Sequence, residues 1–402
     1  GLGLDNLVYL FDWNDHGIDL RAHSTVVHGT PEQWFTPYGW RTAGTEHGED
    51  YAAITRELQK IVHDPAPHGR PGMVWVKTRK GRGYYKYDAP SHGKAHARNS
   101  ELFWKGRKDF QDRYNVSFEG FGDTTDPGEK AGREQAKKWF ASVFSLLRDD
   151  TELLEYLSDT LVEIGESVPK QPVGFKLTSK ANLAEDRSWL APEKLPAELF
   201  VAPGTKIANK EGFAKFGAWV NELAREKMSR PLVIACSADL AESTSIHGFA
   251  IGFKQKEGFG WYERDKNPGG SLLPQQITEF SNSGLMAGLA TVNMSSEPEK
   301  TFVGYWGAHS TYGSFSYLKY GLMRLFSQLA QDCPLKVGKV IWVVGHSGPE
   351  TAEDSRTHFG IFAPGVTQLF PDEHVINLYP WEHNEVAPAL AAALASDRPI
   401  VA

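Results

Sequence analysis

Cysteine is nearly absent, with only Cys236 and Cys333 in 402 residues. Both flank apolar runs, so buried free thiols are expected rather than a disulfide, which favours a reducing compartment. No apolar run approaches membrane-spanning length, and no signal-peptide pattern opens the chain. A basic surplus is missing too: 43 Lys and Arg stand against 50 Asp and Glu, a net charge of −7. That removes any general electrostatic case for nucleic acid, although Lys77-Thr78-Arg79-Lys80-Gly81-Arg82 keeps the makings of local phosphate contacts. A cytoplasmic protein with neither a nucleic-acid nor a membrane partner is expected. The chain also lacks an initiator Met and a polar lead-in, and it stops inside the apolar run Pro399-Ile400-Val401-Ala402. Natural termini are usually polar and frayed, so both ends are read as cuts through folded domains.

Short β-branched or aromatic runs alternate with longer amphipathic stretches. Strands are predicted at Val8–Phe11, Met73–Lys77, Leu232–Ser237, Thr301–Trp306, Val340–Gly345 and Val375–Tyr379. Several are apolar throughout, as suits parallel strands covered on both faces. Helices are predicted at Asp50–His63, Phe213–Ser229, Gln276–Thr291, Tyr317–Gln331 and Asn384–Ala395. This alternation predicts an α/β protein with two doubly wound domains. The middle carries charge, several prolines and one helix block, Gln135–Leu161. The expected division is therefore a first domain over 1–122, a partly helical linker over 123–204 and a second domain over 205–402.

Ligands of parallel sheets bind beyond the carboxyl ends of the strands. Four predicted strands end in polar residues: Asp12-Trp13-Asn14-Asp15-His16, then Ser237-Ala238-Asp239-Leu240-Ala241-Glu242-Ser243, then Gly307-Ala308-His309-Ser310-Thr311-Tyr312, and the loop from Gly345 to His358. In that last loop His346, Glu353, Asp354 and His358 can serve proton transfer or grip hydroxyls and phosphate. A zinc or manganese site is the competing reading, and a solvated loop with capping acids the plainest one. Glu279 opens a helix rich in small residues, where an acid in the first turn is expected from the helix dipole alone. Gly284, Ala287 and Gly288 on that helix would let another helix approach closely, as at a tight subunit interface. Tyr312 and Phe315, three apart, pack a core or stack on a flat heteroaromatic ligand. The turn from Lys77 to Tyr84 is basic and glycine-containing, with Ser91-His92-Gly93 shortly after, but it matches no P-loop.

Taken in order, these pieces resemble the transketolase family of thiamine-diphosphate enzymes. Leu7–Asp19 looks like the end of that family's cofactor motif. The resemblance implies that Asn14 and the backbone carbonyl of His16 ligate a divalent metal (Mg²⁺ or Ca²⁺), and that Ile18 packs against the cofactor. Lys77-Thr78 through Gly83 and Ser91-His92-Gly93 resemble the run whose histidine, here His92, reaches toward diphosphate and substrate. Ser237-Ala238-Asp239-Leu240-Ala241 repeats a family motif at the mouth of the pyrimidine-binding domain, placing Asp239 at the cofactor and Ser243 at a substrate phosphate. Glu279-Phe280 matches the Glu-Phe whose acid serves the aminopyrimidine ring, and Tyr312 and Phe315 match the aromatic pocket around it. His346, Asp354 and His358 keep the family's spacing around the substrate.

The resemblance thus implies two-carbon ketol transfer between sugar phosphates by a homodimer with its site at the subunit interface. The Gly-Asp-Gly that opens the family's metal motif and the C-terminal domain are both missing, so activity is expected only with the missing segments. Ile207-Ala208-Asn209-Lys210 stands where sugar-phosphate members carry an arginine, and Leu318 replaces a third aromatic of the ring pocket. His92 to Val116 leans toward the homodimeric pyruvate dehydrogenase E1 branch, which makes decarboxylation of a 2-oxoacid the runner-up. A non-catalytic subunit completing a site on another chain is the reading of a different class.

Overall fold

The computed structural model describes residues 2–64, 69–93, 95–167, 181–345, 358 and 363–402. It divides into two compact units, residues 1–173 and 174–402. The first is built on a parallel sheet of β1 (Val8–Trp13), β2 (Arg41–Thr45) and β3 (Gly72–Lys77), in the order β1-β3-β2. Met73, Val74 and Trp75 of the central strand are buried; α2 (Tyr51–Val62) packs with Ile61 on the face of Gly72 and Val74, while Trp75, on the other face, packs edge-on against Trp13 and donates to Glu32 of α1 (Pro31–Phe35). Asp50 caps α2 by accepting from the amides of Ala52 and Ala53, the expected chemistry of an N-cap. Beyond the sheet lie α3 (Glu101–Tyr114), α4 (Gly128–Asp149) and α5 (Thr151–Ser167). The predicted block Gln135–Leu161 is therefore two helices, broken at Asp150. Trp104, Phe118 and Trp139 form a small separate core here.

The second unit carries a parallel six-stranded sheet in the order β5-β4-β6-β7-β9-β8. Its strands are β4 (Val233–Ser237), β5 (Leu272–Leu273), β6 (Trp306–Tyr312), β7 (Val340–Gly345), β8 (Val375–Ile376) and β9 (Ile400–Val401). Side chains alternate between two cores. Trp306, Ala308, Val233, Ala235 and Ile341 face α6 (Asn209–Met228) and α9 (His383–Ala395). Val340 and Trp342 face α7 (Glu279–Thr291) and α8 (Tyr320–Asp332). Period-two alternation with both faces buried is what makes these strands read as continuous apolar runs.

The stretch read as a linker is shared between the units. α4 and α5 fall in the first, and Leu183, Trp189, Leu190 and Leu199 join the core of the second. One predicted strand is displaced. Thr301–Trp306 is irregular up to Trp306, and β6 begins where the prediction stopped. Gly307-Ala308-His309-Ser310-Thr311 had the polarity of a loop, yet each is buried between two neighbouring strands. Gly284 does allow a close helix approach, but the neighbour is in the same chain: a Cβ there would lie 2.5 Å from Cδ1 of Leu322 in α8.

Candidate active site

From β4 the chain runs first to β5 on one side, then returns to β6 on the other. The strand order therefore reverses between β4 and β6, and the crevice beyond their carboxyl ends is where such sheets take ligands. The residues there are Ser237–Ser243 after β4 and Tyr312–Phe315 at the end of β6. Ser237, Asp239, Ser243, Trp261, Gln275 and Tyr312 line a cleft of about 440 Å³ at this point. The turn is built by hydroxyls. Ser310 Oγ lies 2.8 Å from both Ser237 Oγ and Thr244 Oγ1, and Ser237 Oγ accepts from the amide of Leu240 at 3.1 Å. Asp239 is held exposed at φ +60°, a left-handed conformation that non-glycine residues adopt at a cost. The Tyr312 hydroxyl donates to Ser243 Oγ at 3.4 Å, and Lys210 Nζ donates to the Ser243 carbonyl at 3.1 Å.

Glu279, the first residue of α7, is only 6% exposed. A buried carboxyl needs a partner, and Thr311 Oγ1 donates to Glu279 Oε1 at 2.9 Å. Thr311 was not singled out in the sequence because β6 was misplaced; with β6 at 306–312, period two sets His309 and Thr311 on the α7 face. Tyr312 and Phe315 pack edge-on against His358, with ring centroids 5.0 and 5.8 Å away. Glu279, Thr311, Tyr312, Phe315 and His358 thus belong to one region, together with Asp239 and Ser243 in the adjoining cleft. His346 and Asp354 lie outside the described residues.

In the first unit, Asn14 and His16 follow β1. Asn14 Oδ1 accepts from the His16 amide at 2.9 Å, and its Nδ2 donates to Asp12 Oδ2 at 3.1 Å. Thr78, after β3, donates to the other oxygen of Asp12, and Lys80 donates to the Gly17 carbonyl. Asp15 anchors the loop by accepting from both the amide and the hydroxyl of Ser24, each at 2.7 Å. Burial would raise the Asp15 carboxyl, but these two bonds outweigh it and hold the group below the usual range. His16 Nε2 sits 3.8 Å from Asp88, whose carboxyl the Arg79 guanidinium holds below its ordinary value. Ile18 is 69% exposed and His92 is exposed, so within this unit neither is packed onto the Asn14 loop.

In each unit taken by itself, the chemistry of these residues fits part of a cofactor site. A buried acid beside two aromatic rings suits a heteroaromatic ring that carries a hydrogen-bonding nitrogen. The oxygens of Asn14 and the His16 carbonyl are hard ligands of the kind Mg²⁺ and Ca²⁺ take. Among the described residues no three His, Cys, Asp or Glu side chains converge to hold a metal, so these oxygens would be part of a larger set.

Residues 1–162 match the family model described as transketolase, thiamine diphosphate binding domain. Residues 215–402 match the one described as transketolase, pyrimidine binding domain. A probable transketolase of Streptococcus pneumoniae serotype 4 is 32% identical over 80 residues, which is 20% of this chain and 11% of that protein. The transketolase of Leishmania mexicana is similar in fold, with a TM-score of 0.61 and 18% identity over 100% of this chain and 51% of its own. The Pichia stipitis transketolase complexed with sedoheptulose-7-phosphate shares the same 0.61, 18%, 100% and 51%. For that of Campylobacter jejuni the values are 0.57, 15%, 99% and 51%. The chain spans about half the length of these solved relatives, 51% in each. Likeness at such identity speaks to the fold.

Proposed function

The chain belongs to the transketolase family of thiamine-diphosphate enzymes, and on that premise we propose that it takes part in transferring a two-carbon ketol unit between sugar phosphates. The observation that carries this reading is Glu279, a buried acid held by Thr311 at the switch point of the sheet, beside Tyr312 and Phe315. Thiamine diphosphate supplies, when bound, the carbanion chemistry at its thiazolium C2. Glu279 would hold a hydrogen bond at the nitrogen of the cofactor's pyrimidine ring and so orient it. Tyr312 and Phe315 flank the ring and keep water from it, while Asp239 borders the cofactor. Asn14 and the His16 carbonyl would hold a divalent metal, Mg²⁺ or Ca²⁺, whose charge would offset that of the diphosphate. Ile18 covers the cofactor, and His92 reaches its diphosphate side. His358, together with His346 and Asp354, faces the substrate, where imidazoles suit the proton transfers of ketol exchange. Ser243 contacts the substrate phosphate. A homodimer that completes each site across its interface belongs to the same reading.

Lys210 favours a second reading. Among the described residues it is the one charged side chain lining the adjoining cavity of about 880 Å³, and its ammonium is directed to the Ser243 carbonyl. A lysine in that place also suits the carboxylate of an unphosphorylated 2-oxoacid. One experiment separates these readings. The protein is titrated calorimetrically with thiamine diphosphate and Mg²⁺, then offered a ketose phosphate or pyruvate. Ketol transfer requires cofactor binding, a dihydroxyethyl adduct from the ketose and no CO₂ from pyruvate. Release of CO₂ selects decarboxylation, and failure to bind the cofactor selects the non-catalytic subunit. Glu279→Ala should abolish C2 proton exchange, and unchanged exchange removes Glu279 from its role.

A further inference from the structure

The first unit holds a cavity that the proposed chemistry does not use. It lies between α3 and α4, has a volume of about 530 Å³, and is walled by the rings of Phe103, Phe118 and Trp139. Three arginines and one glutamate line it. Two of the arginines have acids beside them: Arg133 donates to Glu129, and Arg98 Nη1 lies 3.6 Å from Asp126 Oδ1. Arg107 pairs with no acid among the described residues. Its Nη1 donates to the Phe103 carbonyl at 2.8 Å. Its guanidinium carbon stands 3.5 Å from the centre of the Phe103 ring and 5.2 Å from that of Trp139. Asn99, also in the lining, is 3% exposed, and its Oδ1 has no hydrogen-bond partner.

A guanidinium presents five N–H groups in a planar fork that matches a carboxylate, and half-burying it without one leaves most of them unmet. Burial pulls the Arg107 guanidinium below its ordinary value, opposed by Tyr84. Stacking on Phe103 occupies the face of the fork, not its N–H edge. The plainer role for Arg107 is to shield the small core of Trp104, Phe118 and Trp139 from water with its stem. That role accounts neither for a cavity of ligand size nor for Asn99 Oδ1, a buried acceptor that calls for a donor.

We propose that this cavity binds an aromatic carboxylate, whose carboxylate pairs with Arg107 and whose ring packs among Phe103, Phe118 and Trp139. A hydroxyl on the same ligand would donate to Asn99 Oδ1. The excess of arginine over acid favours an anion over a cation, and the three rings favour an aromatic body over free phosphate. The proposal goes beyond the ketol-transfer reading and does not rest on the role of Glu279.

The test titrates the full 402-residue chain by calorimetry with 3-phenyllactate, which carries the ring, the carboxylate and the hydroxyl. Binding is expected, with the neutral amide 3-phenyllactamide at least about tenfold weaker, because the charge-assisted pair with Arg107 is lost. Arg107→Met should fold, bind the acid at least about tenfold more weakly than the wild type does, and lose its preference over the amide. Ala136→Phe fills the cavity from α4 while leaving Arg107 in place. That variant, shown to be folded by circular dichroism, should bind neither compound, which places the binding here and not at the cofactor cleft. The proposal is overturned if the wild type binds no 3-phenyllactate, if it binds acid and amide equally, or if Arg107→Met binds like the wild type. Should Arg107→Met fail to fold, Ala136→Phe decides, because binding retained in a filled cavity overturns the proposal and binding lost supports it. Should neither variant fold, the wild type's preference for acid over amide decides.

Discussion

Glu279 could be picked out from its place before Phe280, but nothing local to it explains why it is buried. The explanation is Thr311, whose hydroxyl reaches it at 2.9 Å from the neighbouring strand. Thr311→Val keeps the shape and removes the donor, leaving a buried carboxyl unsatisfied. Unfolding in urea should show a loss of about 1–3 kcal/mol, with Thr311→Ser within about 1 kcal/mol of the wild type. Equal stability of the valine variant would mean that another group satisfies Glu279. The burial of Lys319 and His309 is hidden in the sequence for the same reason as that of Thr311. A lysine in Ser316-Tyr317-Leu318-Lys319 reads as a solvated helix residue, and burial is decided by what packs over it.

Helices and strands with a strong period were legible with small shifts at their ends. Val340–Gly345 was predicted with its observed bounds, and Asp50–His63 differs from α2 by one residue at each end. β6 was lost because Gly307, Ala308, His309 and Ser310 give weak strand signals in a row, and only strands on both sides make them a strand. β2, β5 and β9 were missed because β2 is polar and the other two have only two residues each. One close packing between elements can be tested directly. The 3₁₀ segment Ile246–Ala250 lies so near α6 that a Cβ on Gly248 would stand 2.2 Å from the Ala214 carbonyl oxygen. Both sides of that contact are backbone, so neither can turn aside. Gly248→Ala should destabilise the protein by about 1–3 kcal/mol, read from its denaturation midpoint; a neutral result would show that the segment shifts freely.

For the molecule as a whole, buried titratable groups set a pH window. Burial lowers Lys319 to about 7, and it lowers Lys339 to about 7 although Nζ of Lys339 donates to the carbonyls of Ser396 and Arg398. Between there and the ordinary lysine value of 10.5 the unfolded chain binds more protons, so stability rises with pH. His309, held neutral, acts in the same sense below 6.5. Cys236 acts oppositely, because from 9 to about 12 the folded thiol keeps a proton that the unfolded chain loses. The melting temperature should therefore climb from pH 6 through 7 to about 9, and more slowly from there toward 10.5, where one thiol works against two lysines. A maximum at or below pH 7 would show that Lys319 and Lys339 are charged and paired in the fold.

The sequence by itself determined the α/β class, most of the long helices, the free cysteines and the family, because periodicity and motif chemistry are local properties of the chain. His346 and Asp354 remain known by motif alone, being outside the described residues. Only the tertiary structure decided that β6 is a strand, that Glu279, Thr311, Tyr312 and Phe315 come together where the strand order turns, and that Lys319 is fully buried. Each depends on neighbours far away in the chain, and the polar run after Trp306 is a buried strand only because β4 and β7 lie on either side of it.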